Sequence, residues 1–390
     1  MKFIFVTAGS LAILPINAVA DSVPSIEVRF CPASAVRAYP LESRHDLQSL
    51  LLQNLAVINH GNPPLKINNI DIANCYNPTT SLSHASLIER RCSALVIAAR
   101  NCKPRAYPKQ VAFQFCGTDL IAPSIKLAGP SLNRDEALLV TSQVFAFTGS
   151  RDMLRVRVYG EVNGRAKELT SSIPIKSDFA KNKYIFPLRG VWYVGNGASF
   201  HTGHGWAVPE EFALDIAKVG ENGLSHKGAG TRFDDYYGYG ADVLAAADGR
   251  VISTANDRPE DPTAMQRPDE TQEAYFACLQ KEQGERLAKG PTAITGNYVM
   301  IDHGKGEYSL HAHLQPDSLR VRVGDQIKAG EVVGKLGSSG NSTEPHLHFH
   351  VCDQPDPLMC AGIPVNFSNI TIQWADLPRP IQSGDIVIAK

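Results

Sequence analysis

The chain has 390 residues, enough for one large domain or two ordinary ones. Hydrophobic residues make up 43% and charged residues 20%, which excludes a disordered or fibrous chain and predicts a proper core. A formal net charge of -1 gives no basis for nucleic acid or an anionic membrane surface as a partner.

Residues 1–20 read as a signal peptide. Met1-Lys2 is a short basic start, Phe3 to Leu14 is mostly apolar, and Ala18-Val19-Ala20 offers a small-x-small cleavage site. No later stretch has the roughly 18 unbroken apolar residues of a membrane span. The expectation is a protein that begins near Asp21, is exported to the periplasm or secreted, and has no stable membrane insertion after cleavage. Eight cysteines in such a chain suggest disulfides. Cys352 and Cys360 flank a Pro-containing loop and are one candidate local pair; Cys92 and Cys102 are another. No Cys-x-x-Cys pair occurs, which disfavours a cysteine zinc site.

Residues 21–183 read as a β-rich accessory domain. Leu52 to Ile58 is an apolar run closed by the turn signal His60-Gly61-Asn62-Pro63-Pro64. Leu65, Ile67, Ile70 and Ile72 are core candidates on the next strand. Ala137 to Phe147 and Leu154 to Val162 are further strands, joined onward by the hairpin dipeptide Asn163-Gly164. Short strands at this spacing predict a β-sandwich of immunoglobulin-like type. Ser86 to Arg100 has some helical period and reads as an insert.

The join lies around residues 172–187, and residues 184–390 read as a second domain. Gly190 to Val194 is a strand, followed by a loop that holds His201 and His204. Glu211 to Ile216 reads as a strand carrying Asp215 between Leu214 and Ile216. A carboxylate in that apolar company needs a partner or must face solvent. Tyr239 to Val251 reads as strand, Asp248-Gly249 turn, strand. Residues 255–295 are polar, then helical from about Glu270 to Leu287. They predict an insertion that either rims a site or is a surface excursion. Asn297 to Asp302 is a strand. Tyr308 to Leu314 is another, with His311 and His313 two apart and so predicted to share a face. The last thirty residues read as a covering tail.

The stretch Pro345-His346-Leu347-His348-Phe349-His350-Val351 alternates strictly and predicts a strand. Leu347, Phe349 and Val351 then face a core, and His346, His348 and His350 face a shared space. Neighbours two apart sit roughly 6.5–7 Å apart, so two imidazoles can converge on one ion, and either pairing includes His348. The alternative is a solvated histidine face. Histidines on two strands, a loop histidine and a strand aspartate together make a zinc inventory with imidazoles to spare. Three protein ligands and an open position suit catalytic zinc, and spare imidazoles suit proton transfer. The residue types therefore predict a hydrolase acting on an amide.

Four motifs in residues 190–370 resemble the lysostaphin/LytM-type zinc endopeptidases, most of which cut the peptide part of peptidoglycan. They are Phe212-Ala213-Leu214-Asp215, Tyr239 to Gly249, His311-Ala312-His313-Leu314, and Gly337 to Phe349. The resemblance implies a C-terminal antiparallel β-sheet metallopeptidase domain in a mainly β protein. It implies one Zn2+ per chain held by a loop histidine, Asp215 and His348, with His313 and His346 as the catalytic histidines. His204 is the chosen loop ligand, in a Thr-Gly-His-Gly setting, and His201 is the alternative. His350 stands where such enzymes commonly have Glu, and His311 where they commonly have an aromatic residue. The resemblance further implies a peptidoglycan peptide as substrate. Two other readings are a catalytically silent relative that regulates wall hydrolases, and a zinc peptidase acting on proteins.

Overall fold

The computed structural model describes residues 25–32, 34–40, 47–75, 93–97, 126–127, 129–149, 151–198, 204, 207–265 and 270–390. The signal-peptide stretch, His201 and the Cys92–Cys102 pair lie outside the described residues. The chain is mainly β, with its sheets built almost wholly from antiparallel pairs.

Ten strands make the first unit: β1 (Ile26–Cys31), β2 (Val36–Pro40), β3 (Leu47–Asn59), β4 (Leu65–Cys75), β5 (Ser93–Ile97), β6 (Lys126–Leu127), β7 (Ser131–Leu132), β8 (Glu136–Thr148), β9 (Met153–Val162) and β10 (Arg165–Lys176). They form one hydrogen-bonded set rather than two separate sheets, because β10 pairs in parallel with β2 at Ile175 and Val36. A single apolar cluster draws on both ends of this set, from Leu52, Leu55 and Val57 to Ile70, Val156 and Val158. The core positions of β4 switch from odd to even numbers, and a bulge between Ile67 and Asn69 explains the switch. Gly160 lies opposite; a Cβ there would stand 2.6 Å from the Lys66 carbonyl oxygen. Asn163 (φ 51°) and Gly164 (φ 72°) make the β9–β10 turn.

Part of the predicted helical insert is a strand. Ser93-Ala94-Leu95-Val96-Ile97 pairs along β4, where its β-branched residues suit an extended edge.

The second unit contains β11 (Gly190–Asn196), β12 (Leu214–Ala217), β13 (Asp242–Leu244), β14 (Gly249–Ala255), α1 (Gln272–Lys289), α2 (Pro291–Thr295), β15 (Asn297–Asp302), β16 (Tyr308–Leu314), β17 (Gln326–Ile327), β18 (Val332–Lys335), β19 (Leu347–Cys352), β20 (Ile370–Ile372) and β21 (Ile386–Ala389). Nine strands form one antiparallel sheet in the order β17-β14-β15-β16-β19-β12-β11-β21-β20, and β13 pairs with β18 beside it. One face carries the main core, including Leu214, Ile216, Val299, Leu347, Phe349 and Val351, with Val243 and Val333 of the small sheet. Tyr184, Phe186 and Leu188 are fully buried in that same core, ahead of β11. The other face carries the small cluster of Tyr298, Met300, Leu310 and Ala312.

Two expectations need correction here. Glu211 to Ala213 is not strand: Pro209 opens a tight turn, Ala213 donates its N–H back to Glu210, and β12 begins only at Leu214. The last thirty residues are not simply a covering tail. β21 pairs with β11 and β20 with β21, so they complete the sheet.

Candidate active site

Asp215, Ala312 and His348 stand directly opposite one another across β12, β16 and β19. Residues opposite each other in antiparallel strands share a face. The alternation of β19 therefore turns His346, His348 and His350 away from the core that takes Leu347, Phe349 and Val351.

Asp215 is the hub. Its Oδ2 lies 3.2 Å from His204 Nε2 and accepts a 2.8 Å hydrogen bond from Asn196 Nδ2. Its Oδ1 lies 3.0 Å from His348 Nδ1 and 3.4 Å from His346 Nε2. Burial alone would raise the Asp215 carboxyl, but the charges of His204 and His346 and hydrogen bonds from His346 and His348 hold it well below the usual range. His348 meets His350 on its far side, Nε2 to Nδ1 at 2.9 Å. Burial, and then charge on His348 and His204, pushes His350 well down.

His204, Asp215 and His348 each offer one ligand atom, and those atoms lie within 4.8 Å of one another. Donor atoms about 2.0–2.2 Å from a tetrahedral ion stand roughly 3.2–3.6 Å apart. The 3.2 Å from His204 to Oδ2 falls in that range and the 3.0 Å from His348 to Oδ1 lies just short of it, so small shifts would admit a divalent cation. The atoms are oxygen and imidazole nitrogen, which suit such an ion. His204 Nδ1 is buried with no described partner. A second group, His350 with Cys352 and Cys360, offers no thiolate, because its sulfurs form a disulfide of 2.03 Å.

His313 and His346 flank the hub, their rings 4.8 Å apart, and the His313 ring is 5.8 Å from that of His348. His313 Nδ1–H donates to the Ser339 carbonyl at 2.8 Å. His346 Nδ1–H donates to the Glu344 carbonyl at 2.7 Å. Each bond leaves Nε2 on the other side of the ring. Burial, and then the charges of His346 and His348, push His313 well down, so it stays neutral. Burial works against protonation of His346, but the neighbouring Asp215 charge raises it to about 8.

His311 does not share a face with His313. The β15–β16 register slips between Asn297 and Val299, and His313 sits at φ 62°. The extra residue turns His313 to the site and leaves His311 opposite Phe349, ring to ring at 5.1 Å, on the core side. Burial drives His311 down to about 3, and neither ring nitrogen has a hydrogen-bond partner of good geometry, although the Val299 and Leu244 backbones lie near. Sequence reasoning missed the residues around the ligands. Asn196 and Ser339 act through one bond each, and their types carry no signal of it.

Residues 283–359 match Peptidase family M23. This stretch carries an M23 peptidase domain. The M23 match includes His313, His346 and His348 and leaves His204 and Asp215 outside it. A DD-carboxypeptidase/endopeptidase Mpg of Neisseria meningitidis is 44% identical over 103 residues, 26% of this chain and 23% of that protein. The chain thus spans under a quarter of that relative's length. The murein hydrolase activator EnvC of Escherichia coli is 41% identical over 56 residues, 14% of this chain and 13% of that protein. Among solved structures, the catalytic domain of lysostaphin from Staphylococcus simulans aligns over 47% of this chain and 95% of its own, at 16% identity and a TM-score of 0.23.

Proposed function

We propose that the C-terminal unit, residues 184–390, is a zinc endopeptidase of an exported protein, acting on peptide bonds of peptidoglycan cross-links or stem peptides. The carrying observation is the convergence of His204, Asp215 and His348 beside two further imidazoles that donate outward through Nδ1. Similarity to a DD-carboxypeptidase/endopeptidase supports the substrate class. The apolar Phe3 to Leu14 run before Ala18-Val19-Ala20 supports export.

In this reading His204, Asp215 and His348 hold the metal. A bound zinc supplies Lewis acidity toward a carbonyl and lowers the pKa of water. Asn196 keeps Asp215 in place, and His350 fixes the ring orientation of His348. His313, neutral and protonated at Nδ1, presents Nε2 as a proton acceptor. Once protonated there, it donates to the oxyanion of a tetrahedral intermediate. His346, held through Nδ1–H by the Glu344 carbonyl, has Nε2 available to pass a proton to the leaving amine.

Zinc stoichiometry tests the reading in wild type, His204→Ala, His201→Ala and His348→Ala. One zinc per chain, lost in His204→Ala and His348→Ala and kept in His201→Ala, is expected. Loss in His201→Ala instead moves the loop ligand and leaves the function standing. A wild type that takes up no zinc favours the silent regulator, the class named by the hydrolase-activator relative.

A further inference from the structure

Residues 256–296 leave the large sheet after β14 and rejoin it at β15. The excursion packs backbone to backbone against residues 337–341, the loop that delivers β19. Glu260 bridges to Ser339, and Asn341 N–H donates to the Ile294 carbonyl at 2.8 Å. Asn297 N–H donates to Ser339 Oγ at 2.9 Å. The approach leaves no room for side chains: a Cβ on Gly296 would overlap Ser339, and one on Gly340 would overlap Gly296 and Ile294.

Two charged side chains reinforce this contact. Glu260 Oε1 accepts Ser338 N–H at 2.6 Å, and its Oε2 accepts the Tyr239 hydroxyl at 2.6 Å. Arg286, reaching from α1, donates through Nη1 to the Gly340 carbonyl. Its Nη2 lies 3.2 Å from Glu282 and 4.0 Å from Asp261, and the side chain is only 16% exposed.

The braced loop contains the Ser339 carbonyl, which takes the Nδ1–H of His313. That bond decides which ring nitrogen carries the proton. His313 also holds a left-handed φ of 62°, a conformation that persists only when its surroundings over-determine it.

We propose that Arg286 and Glu260 are positioning residues: the excursion braces the 337–341 loop, so that Ser339 holds His313 as its Nδ1–H tautomer with Nε2 aimed into the site. The kinetic consequence rests on the endopeptidase reading above. The tautomer is a property of the folded protein and does not.

The test labels histidine with 15N and reads the ring-nitrogen shifts of His313, assigned with His313→Gln. It compares wild type, Arg286→Ala, Arg286→Lys and Glu260→Ala, each with zinc content and with kcat and KM on a cross-linked peptidoglycan peptide. Wild type should show the Nδ1–H tautomer, and Arg286→Ala a mixture. In Arg286→Ala, kcat should fall on the order of tenfold to a hundredfold. KM should stay within about twofold and zinc content should not change. Arg286→Lys should restore most of the loss, since an ammonium still donates to Gly340. Glu260→Ala reaches the same loop from its other side and decides the matter if Arg286→Ala does not fold. An unmixed His313 tautomer in Arg286→Ala and Glu260→Ala overturns the proposal, as does loss of zinc in step with kcat. An inactive wild type whose variants still mix the tautomers sinks the endopeptidase reading and supports the positioning role.

Discussion

His311 and His313 show how one residue of backbone decides between core and chemistry. Two apart on a regular strand, they would share a face; the slip before Leu314 separates them. A bulge of this kind depends on one φ value and its surroundings, and no residue type at 311–314 announces it. His311 then occupies a core position with poorly satisfied nitrogens, which cost free energy when buried. His311→Phe should leave zinc content unchanged and keep or raise the melting temperature. Zinc loss in that variant would return His311 to the site. His350 makes the opposite case. It is bonded to the back of His348, and partners of metal-bound histidines typically contribute a factor of about 10–100 in metal affinity. Chelator competition on His350→Phe should show a weakening of that order, and unchanged affinity would make His350 a packing residue.

At the scale of elements, the β19 strand was the most legible part of the chain. Strict alternation told core from site without any knowledge of its neighbours, because the two faces of a strand are set by geometry alone. Asp215 was legible as an acid needing a partner, but the partners come from distant strands. The excursion's role was not legible, since its contacts with the 337–341 loop are mostly main-chain bonds. Asn297 marks the place where it rejoins the sheet. Its fully buried side chain donates to the carbonyls of Arg258 and Leu314 and accepts from Arg258 N–H. Asn297→Ala strands those groups, and the expected loss is about 2–4 kcal/mol of stability by urea unfolding. A loss under about 0.5 kcal/mol would show that water replaces the side chain there.

For the whole molecule, two β units each have their own core, and the contact between them touches the site's own chain segment. Gln53 Nε2 of β3 donates to Glu211 Oε2 at 3.2 Å, four residues before Asp215. Tyr39 packs beside Phe212, ring centres 5.4 Å apart and the planes tilted by 33°. Burial pushes the Glu211 carboxyl up to about 8, against the pull of Arg37 and Gln53. Below an ordinary value of 4.5 this group is protonated in both folded and unfolded chains. As pH rises toward 8 the unfolded chain loses the proton first, so this group's contribution to stability declines through that window. Glu211→Gln should therefore gain in melting temperature relative to wild type between about pH 5 and 8. A pH-independent difference would place the carboxyl in open water. None of this was legible beforehand, because the second of two adjacent acids, Glu210 and Glu211, looks like any surface acid.

Asp215 and His348 meet across 133 residues of chain. Contacts of such long loop length form late, after the closure entropy has been met by other pairings. On the ribosome, β12 emerges long before β19, so a growing chain has both halves of the hub only once β19 has followed. Chemical competence is then a property of the finished sheet. If the hub holds a metal as proposed, its uptake during refolding should coincide with the slowest sheet-closing phase.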